Sequence, residues 1–185
     1  MKRINISIML SLLTVAFARA QYLPGARLLT VTGGYTLMQI EETSNSVNGF
    51  ETGGSFEQTS YDSKWAYGVS VTFIRVTDES TNGKSIYRTT PITFQGKYLF
   101  GSPVIKGYVQ TNLGIHSSEV EWDGTVVNSQ NWDFGFVMGG GAGFQWYLSD
   151  KVFITGGYNI KWLHNSYYNE GLAHTFQGGL GFLFP

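Results

Sequence analysis

Three stretches carry residues able to do chemistry. The first is His164-Asn165-Ser166. Two residues apart on an extended strand, a histidine and a serine share one face, and together they make the base and nucleophile of a hydrolytic triad. The third member would be a carboxylate orienting the imidazole. Glu170 falls in the loop expected after this strand, so an interfacial histidine beside a loop serine is the simpler reading. His116-Ser117-Ser118-Glu119 is a weaker version of the same set, with His116 expected to face inward. The third stretch, Gly139-Gly140-Gly141-Ala142-Gly143, has the look of a phosphate-cradling loop. Phe144 occupies the last glycine position of G-x-G-x-x-G, however, and no helix follows. Close packing inside a strand explains these glycines better. His116, His164 and His174 lie on separate strands without ligand spacing, and the chain has no cysteine, so metal, thiol and disulfide chemistry are not expected. No residue is assigned as catalytic, cofactor-binding or metal-binding.

The elements that hold these residues follow from composition and periodicity. Of 185 residues 24 are glycine, 16% are aromatic and only 14% are charged. Near-balanced charge, 12 Lys+Arg against 13 Asp+Glu, leaves no basic excess for nucleic acid. A hydrophobic content of 42% is enough for a sizeable core, which excludes a disordered chain. Residues 1–20 read as a cleaved export signal: Lys2 and Arg3, an apolar run from Ile4 to Phe17, then Ala18-Arg19-Ala20 before Gln21. Residues 21–185 form one domain, and nothing past the last strand implies a further one.

No later segment offers about 20 apolar residues in a row, as a helical span needs. Period-two alternation recurs instead. It runs through Leu29–Leu37, Trp65–Phe73, Ile92–Phe100, Val109–Ile115, Trp132–Trp146, Val152–Trp162 and Leu172–Phe184. An eighth strand, Phe50–Thr59, is weaker but needed, because a closed sheet of this class has an even strand number and no edge.

Alternation alone does not say which face meets water. The polar faces here are mostly Gly, Thr, Ser, Gln and Asn, as a narrow interior requires. Glu51, Glu57, Lys97 and Lys161 point inward, where opposite charges can pair and offset the cost of burial. Aromatics gather toward strand ends: Trp65, Tyr67, Tyr98, Trp146, Phe182 and Phe184 in a lower belt, Phe73, Trp132, Phe134 and Trp162 in an upper one. Tight turns at Tyr61–Ser63, Gly101–Ile105 and Ser149–Lys151 alternate with longer polar loops at Glu41–Gly49, Asp78–Thr89, Ser117–Asn131 and Asn165–Gly171. These features predict an all-β fold, a closed antiparallel eight-stranded transmembrane β-barrel in up-and-down meander order, apolar outside and polar inside.

The chain resembles the small outer-membrane β-barrel family, the OmpA-, OmpX- and opacity-protein-like group labelled porin family. The resemblance rests on the glycine and aromatic strand pattern, on Pro91-Ile92-Thr93-Phe94-Gln95-Gly96-Lys97-Tyr98-Leu99-Phe100-Gly101, and on the terminal Gly179-Leu180-Gly181-Phe182-Leu183-Phe184. It implies a monomer in the bacterial outer membrane, contacting outer-membrane lipids and lipopolysaccharide. The barrel-insertion machinery would read the last strand, although here Pro185 follows the terminal aromatic. No nucleic acid and no cofactor are implied, and the activity is non-enzymatic: surface loops serving structure, adhesion or recognition, around a lumen without a wide pore. Glu119, Trp122 and Asp123 form the most distinctive loop cluster. One alternative is a lipid hydrolase, because His164 and Ser166 are similar to the outward His-x-Ser of lipid A deacylases. Those enzymes place the acid on the next strand, where this chain has Gly178. A small-solute channel is the other alternative.

Overall fold

The computed structural model describes residues 25–40, 46–80, 83–122, 125–127, 133–165 and 169–184. Eight long strands and one short one are formed among them: β1 (Arg27–Ile40), β2 (Ser46–Thr59), β3 (Trp65–Ser80), β4 (Gly83–Gly101), β5 (Ile105–Trp122), β6 (Thr125–Val127), β7 (Asp133–Tyr147), β8 (Val152–Asn165) and β9 (Asn169–Phe184). All pairings are antiparallel, each long strand lies beside its neighbours in sequence, and β1 pairs with β9 to close the barrel. The three-residue β6 only folds back on the loop end of β5, with Val120 opposite Val127. The eight-stranded meander expected from the alternation is therefore the fold, and the weak second strand is real and longer than read, starting at Ser46 rather than Phe50.

Closure works because side chains alternate cleanly. Along β1 the odd positions Leu29, Val31 and Tyr35 are exposed, while Leu28, Thr30 and Thr36 are buried. Tight turns set the spacing of one barrel end. In the β2–β3 turn, the Ser60 hydroxyl donates to the Asp62 carboxylate, and the Lys64 amide donates to the same oxygen at 3.0 Å. Ser63 adopts the left-handed φ of 55° there. Gly101 closes the β4–β5 turn at a φ of 110°, a conformation that costs glycine least. Pro91 has no N–H for the ladder, and the β3–β4 pairing lapses there, between Val71 opposite Ile92 and Ile74 opposite Thr89.

Two expectations about the loop end are corrected. The segment read as the loop Asp78–Thr89 is largely a continued hairpin, with Glu79 opposite Lys84. The segment read as the loop Ser117–Asn131 is strand as far as Trp122 and again at β6. Polar residues in these stretches masked the strand pattern, which hydrogen bonding carries beyond the apolar wall. Aromatic rings are not confined to two belts either. Trp65 and Tyr98 do pair at the turn end with centroids 4.9 Å apart, but Phe56, Phe94 and Phe176 stand exposed in mid-wall.

The interior is layered. At the turn end, Ala26, Leu28, Tyr147, Phe153 and Leu183 form an apolar cluster, with Ala66, Leu99 and Tyr108 as another. At the loop end, Met38, Ile40, Val47, Ile74, Val76, Val137, Leu163 and Ala173 form the largest. The polar layer lies between them. The mostly polar interior expected from the sequence is thus confined to the middle, between apolar clusters at both ends.

Candidate functional site

The four charges expected inside are inside, and they pair. Lys97 lies 2.8 Å from Glu57, and Lys161 bridges Glu51. Glu57 Oε1 also accepts from Ser55 at 2.7 Å and from Gln95 at 2.8 Å. Glu51 Oε2 accepts from the Thr175 hydroxyl at 2.9 Å, which itself sits 2.9 Å from Thr36. These partners come from β1, β2, β4, β8 and β9, so the two pairs tie walls that lie far apart in sequence. Between them is a polar cavity of about 40 Å³, bordered by Thr30, Asn112, Gln110, Asn159, Lys97 and Lys161. That volume admits water molecules rather than a solute.

Glycines give the inner side chains their room. A Cβ at Gly143 or at Gly157 would meet the Tyr108 hydroxyl at 2.5 Å, and one at Gly135 would meet the His116 ring at 2.3 Å. The glycine run is therefore inner-wall packing, with Gly139, Gly141 and Gly143 on the interior face.

The described residues hold only part of the candidate catalytic set. His116 is buried, its Nδ1 3.0 Å from the Ser118 hydroxyl and its Nε2 3.2 Å from the carbonyl of His164. His164 is exposed on the outer wall, stacked on Trp162 at a centroid distance of 5.6 Å. Ser166 lies outside the described residues, as do Trp132, Asp123, Pro185 and the segment read as the export signal. Glu170 is corrected: it sits not in a loop but on β9, directly opposite His164. Hydrogen bonding at the β8–β9 rim continues to Asn165 opposite Asn169, past the point where hydrophobic alternation fades. His174 lies on the outer wall and shares a hydrogen bond of 2.6 Å with the Tyr158 hydroxyl. Among the described residues no three His, Cys, Asp or Glu side chains gather as metal ligands.

The outer wall carries two further features. A depression of about 640 Å³ crosses β4, β5, β7 and β8, floored by Gly96, Thr111 and Gly140 and walled by Phe94, Leu113 and Trp162. Nearer the loops, Arg88 on β4 lies 2.5 Å from Glu121 and 3.8 Å from Glu119. Glu119, read as part of a loop cluster, is therefore a strand residue in an ion pair. Arg75 lies opposite Arg88 in the β3–β4 register. The signal for this row in the sequence is the shared parity of its charges, which the polar composition of Asp78–Thr89 and Ser117–Trp122 obscures.

No protein-family model matches the chain, and no curated protein matches it. Solved structures do match in fold. Neisserial surface protein A superposes with a TM-score of 0.69 at 14% identity, covering 86% of this chain and 99% of that one. Ail, the attachment invasion locus protein of Yersinia pestis, gives 0.53 at 14% identity over 88% of this chain and 100% of that one. Outer membrane protein OprG from Pseudomonas aeruginosa gives 0.52 at 14% identity, over 89% and 98%. The chain has the fold of the small eight-stranded outer-membrane barrels.

Proposed function

We propose that this eight-stranded barrel is an integral outer-membrane protein that displays its loops at the cell surface and catalyses no reaction. The observation that carries this reading is the inversion of its faces. Val69 is 52% exposed, Val71 48% and Phe134 68%, while Glu57 is fully buried. In water such a wall would expose apolar area far beyond that of a typical monomer, whereas in a bilayer it is the required surface. Strands that satisfy their backbone groups in a closed ring are, besides helices, the only structure able to cross hydrocarbon.

The remaining parts of the reading follow from this one. Residues 1–20 direct export, the last strand is read by the insertion machinery, and the monomer contacts lipopolysaccharide and other lipids of the membrane. The layered interior supports a lumen without a wide pore. Loops at one end then provide the surface for adhesion or recognition, held by a rigid scaffold.

Cell fractionation tests the reading. The mature chain should partition with outer membranes and migrate faster on gels unheated than boiled. Recovery as a soluble periplasmic protein would refute it.

A further inference from the structure

We infer that Arg75 and Arg88 hold a phosphate group of the lipid anchor of lipopolysaccharide against the outer wall of β3 and β4. The inference rests on the outer-membrane reading above and names the lipid contact that reading leaves general.

The wall changes character in three successive rows as it approaches the loops. Val71, Ile92, Ile115 and Phe136 are cross-strand partners in the last fully apolar row. Two residues along, Phe73 on β3 lies opposite Thr52, and beyond the lapse in β3–β4 pairing Thr90, Ser117 and Phe134 are partners in turn. Hydroxyls mixed with rings suit the level where hydrocarbon gives way to headgroups. Two residues further, about 7 Å along the strand, Phe50, Arg75, Arg88 and Glu119 form the next row. Arg75 shares the outward parity of Phe73, since Ile74 and Val76 between and beyond them are buried.

Arg75 is the anomaly in that row. Its direct cross-strand neighbours are Phe50 and Arg88, neither of which is anionic. The carboxylates of Glu119 and Glu121 are engaged with Arg88, and Arg75 makes no ion pair among the described residues. Like charges directly opposite across a sheet destabilise it. An anion between the two guanidinium groups reverses that effect, and their planar forks match phosphate oxygens in pairs. The two glutamates balance much of the local charge, so a free anion in solution gains little here. A phosphate carried by a lipid gains in addition from acyl chains lying on Val71, Ile92 and Ile115, which are 48%, 51% and 55% exposed. That combination selects the membrane-borne phosphate over the dissolved one.

The test uses the full mature chain, folded in detergent micelles and checked by its heat-dependent gel migration. Native mass spectrometry measures binding of bisphosphorylated lipid A, the same lipid A with its phosphates removed, and sodium phosphate. Arg75→Gln should weaken binding of bisphosphorylated lipid A about tenfold or more, with Arg75→Lys intermediate. Neither substitution should alter binding of the dephosphorylated lipid. Lys84→Gln, in the adjacent Glu79 ion pair, should change none of these values. Equal binding of bisphosphorylated lipid A by wild type and Arg75→Gln would overturn the inference. Sodium phosphate bound as tightly as the lipid, with the same dependence on Arg75, would overturn the lipid assignment. A chain that locates to the outer membrane yet shows either result refutes this inference alone, whereas failure to reach that membrane refutes the reading beneath it.

Discussion

Glu57 gathers three donors on one carboxylate oxygen while having no exposure to solvent, which makes its lysine partner critical. Lys97→Met would leave that carboxylate buried without its counter-charge, an arrangement that costs about 3–5 kcal/mol. Adding Glu57→Gln to Lys97→Met should restore most of the loss, because a buried pair replaced as a unit is often nearly neutral. Urea unfolding of the folded chain in micelles measures both, and equal destabilisation by the single and double variants would show that the charge pairing is not the cause. At the turn, Asp62 is fully exposed and its pKa is lowered from 3.8, first by the Ser60 hydroxyl and then by the Lys64 amide. A depressed carboxylate contributes stability above its unfolded pKa and loses it as pH falls through the folded value. Carbon-13 titration of the Asp62 carboxyl should therefore give a midpoint below 3.8, and Ser60→Ala should move it back upward. The charges themselves were legible in the sequence by parity alone. Which glutamate meets which lysine was not, because partners such as Glu51 and Lys161, on β2 and β8, are separated by most of the chain.

At the scale of the element, strand length and the room between strands decide the packing. A Cβ added at Gly181 on β9 would lie 2.0 Å from the Phe153 ring, with three Phe153 atoms as its nearest neighbours. Phe153 is fully buried in the turn-end cluster and has nowhere to move. Gly181→Ala should accordingly destabilise by about 1–3 kcal/mol. Pairing it with Phe153→Leu should recover part of the loss, and no recovery would mean that the strain lies in the backbone. This contact also explains why a glycine sits among the apolar residues of the last strand. Strand identity was readable wherever apolar and polar residues alternate, as along β1 or β8. It failed where both faces are polar, as in Asp78–Thr89 and Ser117–Trp122, because there parity carries no contrast and only the hydrogen-bond ladder defines the strand.

For the whole molecule, the interior carries apolar clusters at each end and a polar chamber of about 40 Å³ between them. Eight strands leave an interior that side chains just fill. Planar-bilayer recordings should accordingly show no large steady conductance, and a wide, stable open level would contradict the layered interior. The same layering accounts for rigidity without a soluble-protein core: the ends pack by hydrophobic contact, the middle by ion pairs and hydrogen bonds.

The sequence by itself determined the strand class, the eight-fold count, the identity of the inward and outward faces, and the inward placement of Glu51, Glu57, Lys97 and Lys161. The strands and their two sets of faces follow from period-two alternation, a local property that one strand can display alone. The count of eight needed the rule that a closed sheet has no edge, and the direction of the faces needed the small, uncharged character of the polar one. Only the tertiary structure decided the pairing of those charges, the apolar ends of the interior, the placement of Glu170 opposite His164, and the Arg75–Arg88 row. Those depend on register between strands, which is fixed when the ring closes and every backbone group must find its partner at once.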